Sequence, residues 1–277
     1  MAAVTFWAAV LLTYGVSTGI AMVPAKAGAG PSAGADDILK LDMAPNSVDD
    51  MYQGCKDKMY QKLQEYLANE KNTNPTFKRA WESSEQWYNK KFKKSKPALG
   101  KDRLVAIYCY TFKDNKVYLD FNTAVRTQAP QYKTTFGYHA LHFLLTDAIQ
   151  TLKGEEKLPQ GEDGCVTVYR RVDKTFDQVV NTQLRLGSFT STSMGQYANK
   201  YFGDKTCFEI YTCFGADISM YSPYPEEREV LIPPYEVFKV VGVKKRSQYK
   251  DLPCEVEYKL RSTKTFVSNL NCALIKK

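Results

Sequence analysis

The sequence predicts an α+β protein with a helical N-terminal lobe and a β-rich C-terminal lobe. Three observations carry that expectation. Before residue 160, apolar residues recur at helical spacing, as at Met51, Cys55, Met59, Leu63 and Leu67. After Cys165 the pattern becomes short runs of β-branched and aromatic residues separated by turn residues. Helix and strand signals are segregated along the chain, which points to α+β and away from alternating βαβ units. With 277 residues, 44% apolar and 25% charged, the chain can bury a substantial core.

Taken in order, Val4 to Met22 is mostly apolar and uncharged, and Ala25-Lys26-Ala27 reads as a signal-peptidase site, with Ala21 to Met22 as a nearby option and a membrane anchor as the alternative. This predicts a signal peptide over 1–27, a flexible Gly/Ala/Pro-rich spacer over 28–40 and one domain over 41–272. Within that domain, 41–160 is mainly helical and 161–272 mainly β. The C-terminal Asn271 to Lys277 carries no hydrophobic tail, so a secreted protein is expected, without a glycolipid anchor or stable membrane insertion.

Ser47 reads as a helix cap, with Asp49 and Asp50 in the first turn. Asn72 to Pro75 breaks that helix, and a second carries Phe77, Trp81 and Trp87. Further helices are expected over 98–112, from Phe121 to Val125, and over Thr135 to Leu152, where His139 and His142 read as packing residues. Strands are expected at 165–172, 188–193, 207–213, 217–221, 230–232, 235–243 and 254–261, with a short helix near Gly195 to Phe202.

Composition narrows the chemistry. Seven cysteines in an exported chain imply disulfides plus one odd thiol. Two histidines and no CxxC pair argue against a metal site. The net charge of +8 is spread along the chain. Its densest cluster, Lys90 to Lys96, reads as a solvated helix end, with an anionic cell-surface partner as the alternative. No nucleic-acid motif accompanies it.

Three pieces of the β half stand out. Tyr169-Arg170 places an arginine fork in a strand, suited to bidentate phosphate binding. Ser191-Thr192-Ser193 puts two serines on one strand face. Glu227-Arg228-Glu229, read as a strand start, points both carboxylates one way and Arg228 the other. Crowded carboxylates raise one pKa, so one can hold a proton while its neighbour stays ionised.

In this order the pieces resemble the R-S-E signature of the vertebrate ecto-mono-ADP-ribosyltransferases. Asp42 to Asn46, Ala140 to Thr146 and Glu229 to Pro234 also look like family segments. The resemblance implies an ADP-ribosyltransferase core resembling a β-sandwich, with an NAD⁺ cleft between it and the helical lobe. It implies NAD⁺ as substrate, no metal, and transfer of ADP-ribose to exposed arginines of extracellular or secretory-pathway proteins. Catalytic roles fall on Arg170, Ser191, Glu229 and Glu227. Arg170 would grip the pyrophosphate, Ser191 would orient the ribose and Glu229, and Glu229 would stabilise an oxocarbenium-like ribosyl cation. Glu227 would accept the target guanidinium. Ser222, Tyr110 and Phe189 are weaker candidates for NAD⁺ contacts, Phe189 by stacking on nicotinamide. Tyr221 and Tyr224 lie in what resembles the family's target-facing loop.

Two departures from the family pattern stand out. Arg171 replaces a frequent glycine and is expected to crowd the cleft, and Arg228 replaces a frequent acid. The family's disulfides imply Cys55–Cys272 and Cys165–Cys213; a Cys207–Cys254 pair would then leave Cys109 free. An NAD⁺ glycohydrolase and a non-catalytic secreted binding protein are the competing readings.

Overall fold

The computed structural model describes residues 38–95, 97–155, 164–197 and 202–275. The expected signal peptide, most of the spacer, Lys96 and half of the helix expected near Gly195 to Phe202 lie outside the described residues. Among the described residues five α-helices come first: α1 (Lys56–Thr73), α2 (Pro75–Lys91), α3 (Lys101–Thr111), α4 (Val117–Thr127) and α5 (His139–Glu155). Eight strands follow: β1 (Val166–Val172), β2 (Gln183–Arg185), β3 (Thr190–Met194), β4 (Thr206–Thr212), β5 (Ala216–Asp217), β6 (Glu229–Ile232), β7 (Glu236–Lys245) and β8 (Val256–Phe266). They form one mixed sheet in the order β2-β7-β8-β4-β1-β3-β6-β5, with β4 and β8 parallel.

The Asn74-Pro75 break holds for the expected reason. Asn74 Oδ1 accepts the Phe77 N–H at 3.0 Å and Pro75 opens α2, so two helices abut at one residue. Ser47 does not cap α1, which starts nine residues later. Ser47 Oγ instead donates to the Gly187 carbonyl at 2.9 Å, and Asp49 forms a buried ion pair with Arg185 at 2.7 Å. Tyr52 and Gly54 take positive φ, 55° and 89°, so the backbone turns before α1 begins. Long-range partners have captured the polar side chains that local sequence offered as a cap.

The α5 start is also set from a distance. The Glu70 carboxylate of α1 accepts the Ala140 N–H at 2.7 Å, so α5 begins at His139 and not at Thr135. His139 and His142 are packing residues, as expected. His142 Nε2 donates to the Val48 carbonyl and Nδ1 accepts from Tyr52, both at 2.9 Å, and burial pulls its pKa down to about 3. The strand expected at 217–221 shrinks to Ala216–Asp217, because Asp217 Oδ1 accepts the Ser219 N–H and turns the chain. Strand β2 was not anticipated; it has three residues and pairs only with β7 at the sheet edge.

Two apolar clusters explain the architecture. One joins the helices to Phe189, Ala216, Ile218 and Leu231. The other draws on β1, β2, β4, β6, β7 and β8 through Val168, Leu184, Ile210, Val230, Ile232, Phe238 and Leu260. Leu231 thus faces the helices while Val230 and Ile232 face the strand core, the alternation of a strand buried on both faces. The sheet encloses its own core, and the helical lobe packs on the β3-β6-β5 end. Disulfides join Cys55–Cys272, Cys165–Cys213 and Cys207–Cys254, and Cys109 is free and buried.

Candidate active site

The site is built where β6 begins. Pro225 opens a 3₁₀ turn, Pro225–Glu227, Arg228 follows in the left-handed region (φ 45°), and Glu229 is the first strand residue. Strand alternation therefore does not relate Glu227 to Glu229, contrary to expectation. Glu227 sits half-buried on a turn, whereas Glu229 is only 6% exposed. Arg228 is not turned away either. It is exposed and lines the cleft, with Nη2 3.3 Å from Met194 Sδ, because the left-handed residue interrupts the strand pattern.

Sheet register brings the remaining motifs together. Strand β3 lies between β1 and β6, with Ser193 opposite both Tyr169 and Glu229. Ser191 is two residues along on the same face. Arg170 reaches over from β1, its Nη1 donating to the Ser191 carbonyl at 2.6 Å. A cleft of about 580 Å³ is lined by Arg170, Ser191, Glu227 and Glu229, with Tyr197 and Phe202 as aromatic walls. That size suits a ligand-binding cleft.

Electrostatics distinguish the two glutamates. Burial pushes the Glu229 carboxyl up to about 7, against a hydrogen bond from Ser191 that holds it down; the Glu227 charge raises it further, and Lys113 and Arg170 oppose. Burial lowers the Arg170 pKa, with Tyr110 and Glu229 favouring its charge and Arg126 opposing it. Arg126 of α4 is therefore a second cation near Arg170, outside the residues that line the cleft, its Nη2 donating to Ser188 Oγ at 2.6 Å. Among the described residues neither arginine forms an ion pair with a carboxylate, which leaves both guanidinium charges for an anion.

The weaker candidates divide. Tyr110 is buried behind Ser191, its hydroxyl donating to the Phe189 carbonyl at 3.1 Å and accepting from Asn122 at 3.0 Å. Phe189 does not line the cleft. It is 1% exposed, stacked on Phe121 at 5.5 Å, because its strand position faces the helical core. Ser222 is buried too, its Oγ accepting the Tyr224 N–H at 3.1 Å, which shapes the loop before Glu227. Arg171 lines the cleft, and its guanidinium is tied to the Gly203 and Pro253 carbonyls at 3.0 and 2.6 Å and to Asp204.

Two site residues escaped the sequence reading. Arg126 lies in a helical stretch with no local motif, and Lys113, on a 3₁₀ turn after α3, forms an ion pair with Glu227. Only the fold brings Lys113 beside Glu227 and Arg126 near Arg170.

Residues 41–261 match the family described as NAD:arginine ADP-ribosyltransferase. The chain is 37% identical over 212 residues to ecto-ADP-ribosyltransferase 5 of Mus musculus, covering 74% of this chain and 68% of that protein. It is 38% identical over 208 residues to the erythroblast NAD(P)(+)--arginine ADP-ribosyltransferase of Gallus gallus, covering 73% and 67%. Among solved structures it is similar to a mutant of the eukaryotic mono-ADP-ribosyltransferase ART2.2 in complex with NADH. There the TM-score is 0.68 and the identity 34%, with 84% of this chain and 98% of that one covered. The chain belongs to the NAD:arginine ADP-ribosyltransferase family and is an enzyme that takes ADP-ribose from NAD⁺.

Proposed function

We propose that this enzyme transfers single ADP-ribose units from NAD⁺ to arginine side chains of proteins outside the cell or in the secretory pathway. The observation that carries the reading is the pairing of a buried Glu229 beside Ser191 with a solvent-reaching Glu227 two residues earlier. Three disulfides among the described residues fit an oxidising compartment.

In this reading Arg170 and Arg126 hold the NAD⁺ pyrophosphate, neither being in an ion pair with a carboxylate among the described residues. Tyr110 acts from behind, fixing the Ser191 environment. The nicotinamide–ribose bond breaks with its electron pair leaving on nicotinamide, and positive charge develops on the ribose. The ionised Glu229 carboxylate stabilises that charge and accepts the ribose 2′-hydroxyl, and Ser191 keeps it oriented. Glu227 accepts the N–H groups of the target guanidinium, whose nitrogen bonds to the ribose carbon and releases a proton. Glu229→Gln keeps size and loses charge, so nicotinamide release from NAD⁺ falls on the order of 10²–10³-fold, as on losing one preorganised stabilising group. A variant within tenfold of wild type removes Glu229 from the central role.

A further inference from the structure

Lys113 stands at the mouth of the cleft as the resting partner of Glu227. It belongs to the helical lobe, on the turn Lys113–Asn115 between α3 and α4. Its ammonium also lies 4.3 Å from the Tyr224 ring centroid and 5.2 Å from that of Phe202. The lysine side chain is 43% exposed and that of Glu227 32%, and a solvated pair of this kind opens easily. A guanidinium offers a planar fork of donors to a carboxylate, whereas an ammonium is a point charge. A target arginine therefore takes Glu227 from Lys113.

That exchange leaves Lys113 at the mouth beside a second cation. The two rings hold it there, and among the described residues no other carboxylate pairs with it. The missing partner has to come from the target. Resting on the reading of Glu227 as the acceptor residue, we infer that Lys113 selects target arginines with an Asp or Glu neighbour, whose carboxylate replaces Glu227 as its partner.

The test compares two peptides, one with the acceptor arginine flanked by Glu and one flanked by Gln, alongside agmatine, which has no flank. Labelled NAD⁺ is the donor at low ionic strength. Enzymes are wild type, Lys113→Gln, Lys113→Arg and, as a charge-matched control, Lys58→Gln at an exposed position of α1. Wild type should favour the acidic peptide about 2–5-fold in kcat/KM, the range of one solvated ion pair. The preference should vanish in Lys113→Gln and persist in Lys113→Arg and Lys58→Gln. Agmatine labelling by Lys113→Gln shows that the variant is folded. A wild-type ratio of one, or a ratio that Lys113→Gln retains, overturns the inference while agmatine labelling leaves the role of Glu227 standing. Release of nicotinamide with neither peptides nor agmatine labelled by any of the enzymes overturns both.

Discussion

Glu229 sits at the first position of β6, where a strand enters the core, and its burial gives it a pKa near neutrality. The proposed chemistry needs the ionised form, so activity should rise with pH through about 7. Glu227 is among the groups that raise that value, so Glu227→Gln should move the acidic limb of the kcat/KM profile to lower pH. A pH–rate series on both enzymes checks this; an unmoved limb, or one displaced upward, contradicts it. Arg126→Gln should raise KM for NAD⁺ about tenfold, the scale of one charge-assisted hydrogen bond, with little effect on melting temperature. Arg170, Ser191 and Glu229 could be picked out in the sequence because their short motifs, in that order, resemble the family signature; strand pattern alone did not single them out. Lys113 and Arg126 were not, because their functional neighbours are about 60 or more residues away and the intervening fold places them.

At the scale of elements, strand grammar and the Asn74-Pro75 helix break could be read locally, whereas the starts of α1 and α5 could not. Glu70 shows why. It caps α5 from α1, and burial pushes its carboxyl up to about 8 although backbone N–H groups of α5 favour its charge. A raised folded-state pKa means stability that is complete below the unfolded value of 4.5 and lost as pH rises through about 8. Wild type should therefore lose stability across that window relative to Glu70→Gln, which carries no charge to bury. Urea midpoints at pH 5 and pH 8.5 measure this, and parallel behaviour of the two proteins refutes it. Arg185 joins the segment before α1 to β2 and to the C-terminal tail through Asp49 and the Met43, Ala44 and Val267 carbonyls. Asp49→Ala leaves a buried guanidinium without its counter-charge and should cost about 3–5 kcal/mol in chemical unfolding.

Over the whole molecule, the segment before α1 meets the segment after β8. Cys272 bonds to Cys55, and Asp50 accepts both the Cys272 N–H at 2.9 Å and the Tyr132 hydroxyl at 2.8 Å. The closure spans 217 residues, and the chain-entropy treatment of such a loop gives about 5 kcal/mol. This tie keeps the helical lobe, source of Lys113, Arg126 and Tyr110, against the strands that carry Arg170, Ser191 and Glu229. The α+β class was legible because helical and strand periodicities occupy separate halves; the single eight-stranded order was not, since β2 is too short to leave a pattern and long-range pairing sets the order. The division of labour between the two glutamates is the central claim, and labelled NAD⁺ with agmatine tests it most directly in wild type, Glu227→Gln and Glu229→Gln. Agmatine labelling is expected of wild type alone, with NAD⁺ hydrolysis surviving in Glu227→Gln and lost in Glu229→Gln. Wild-type release of nicotinamide without labelled agmatine, or labelling that survives in Glu227→Gln, would contradict it.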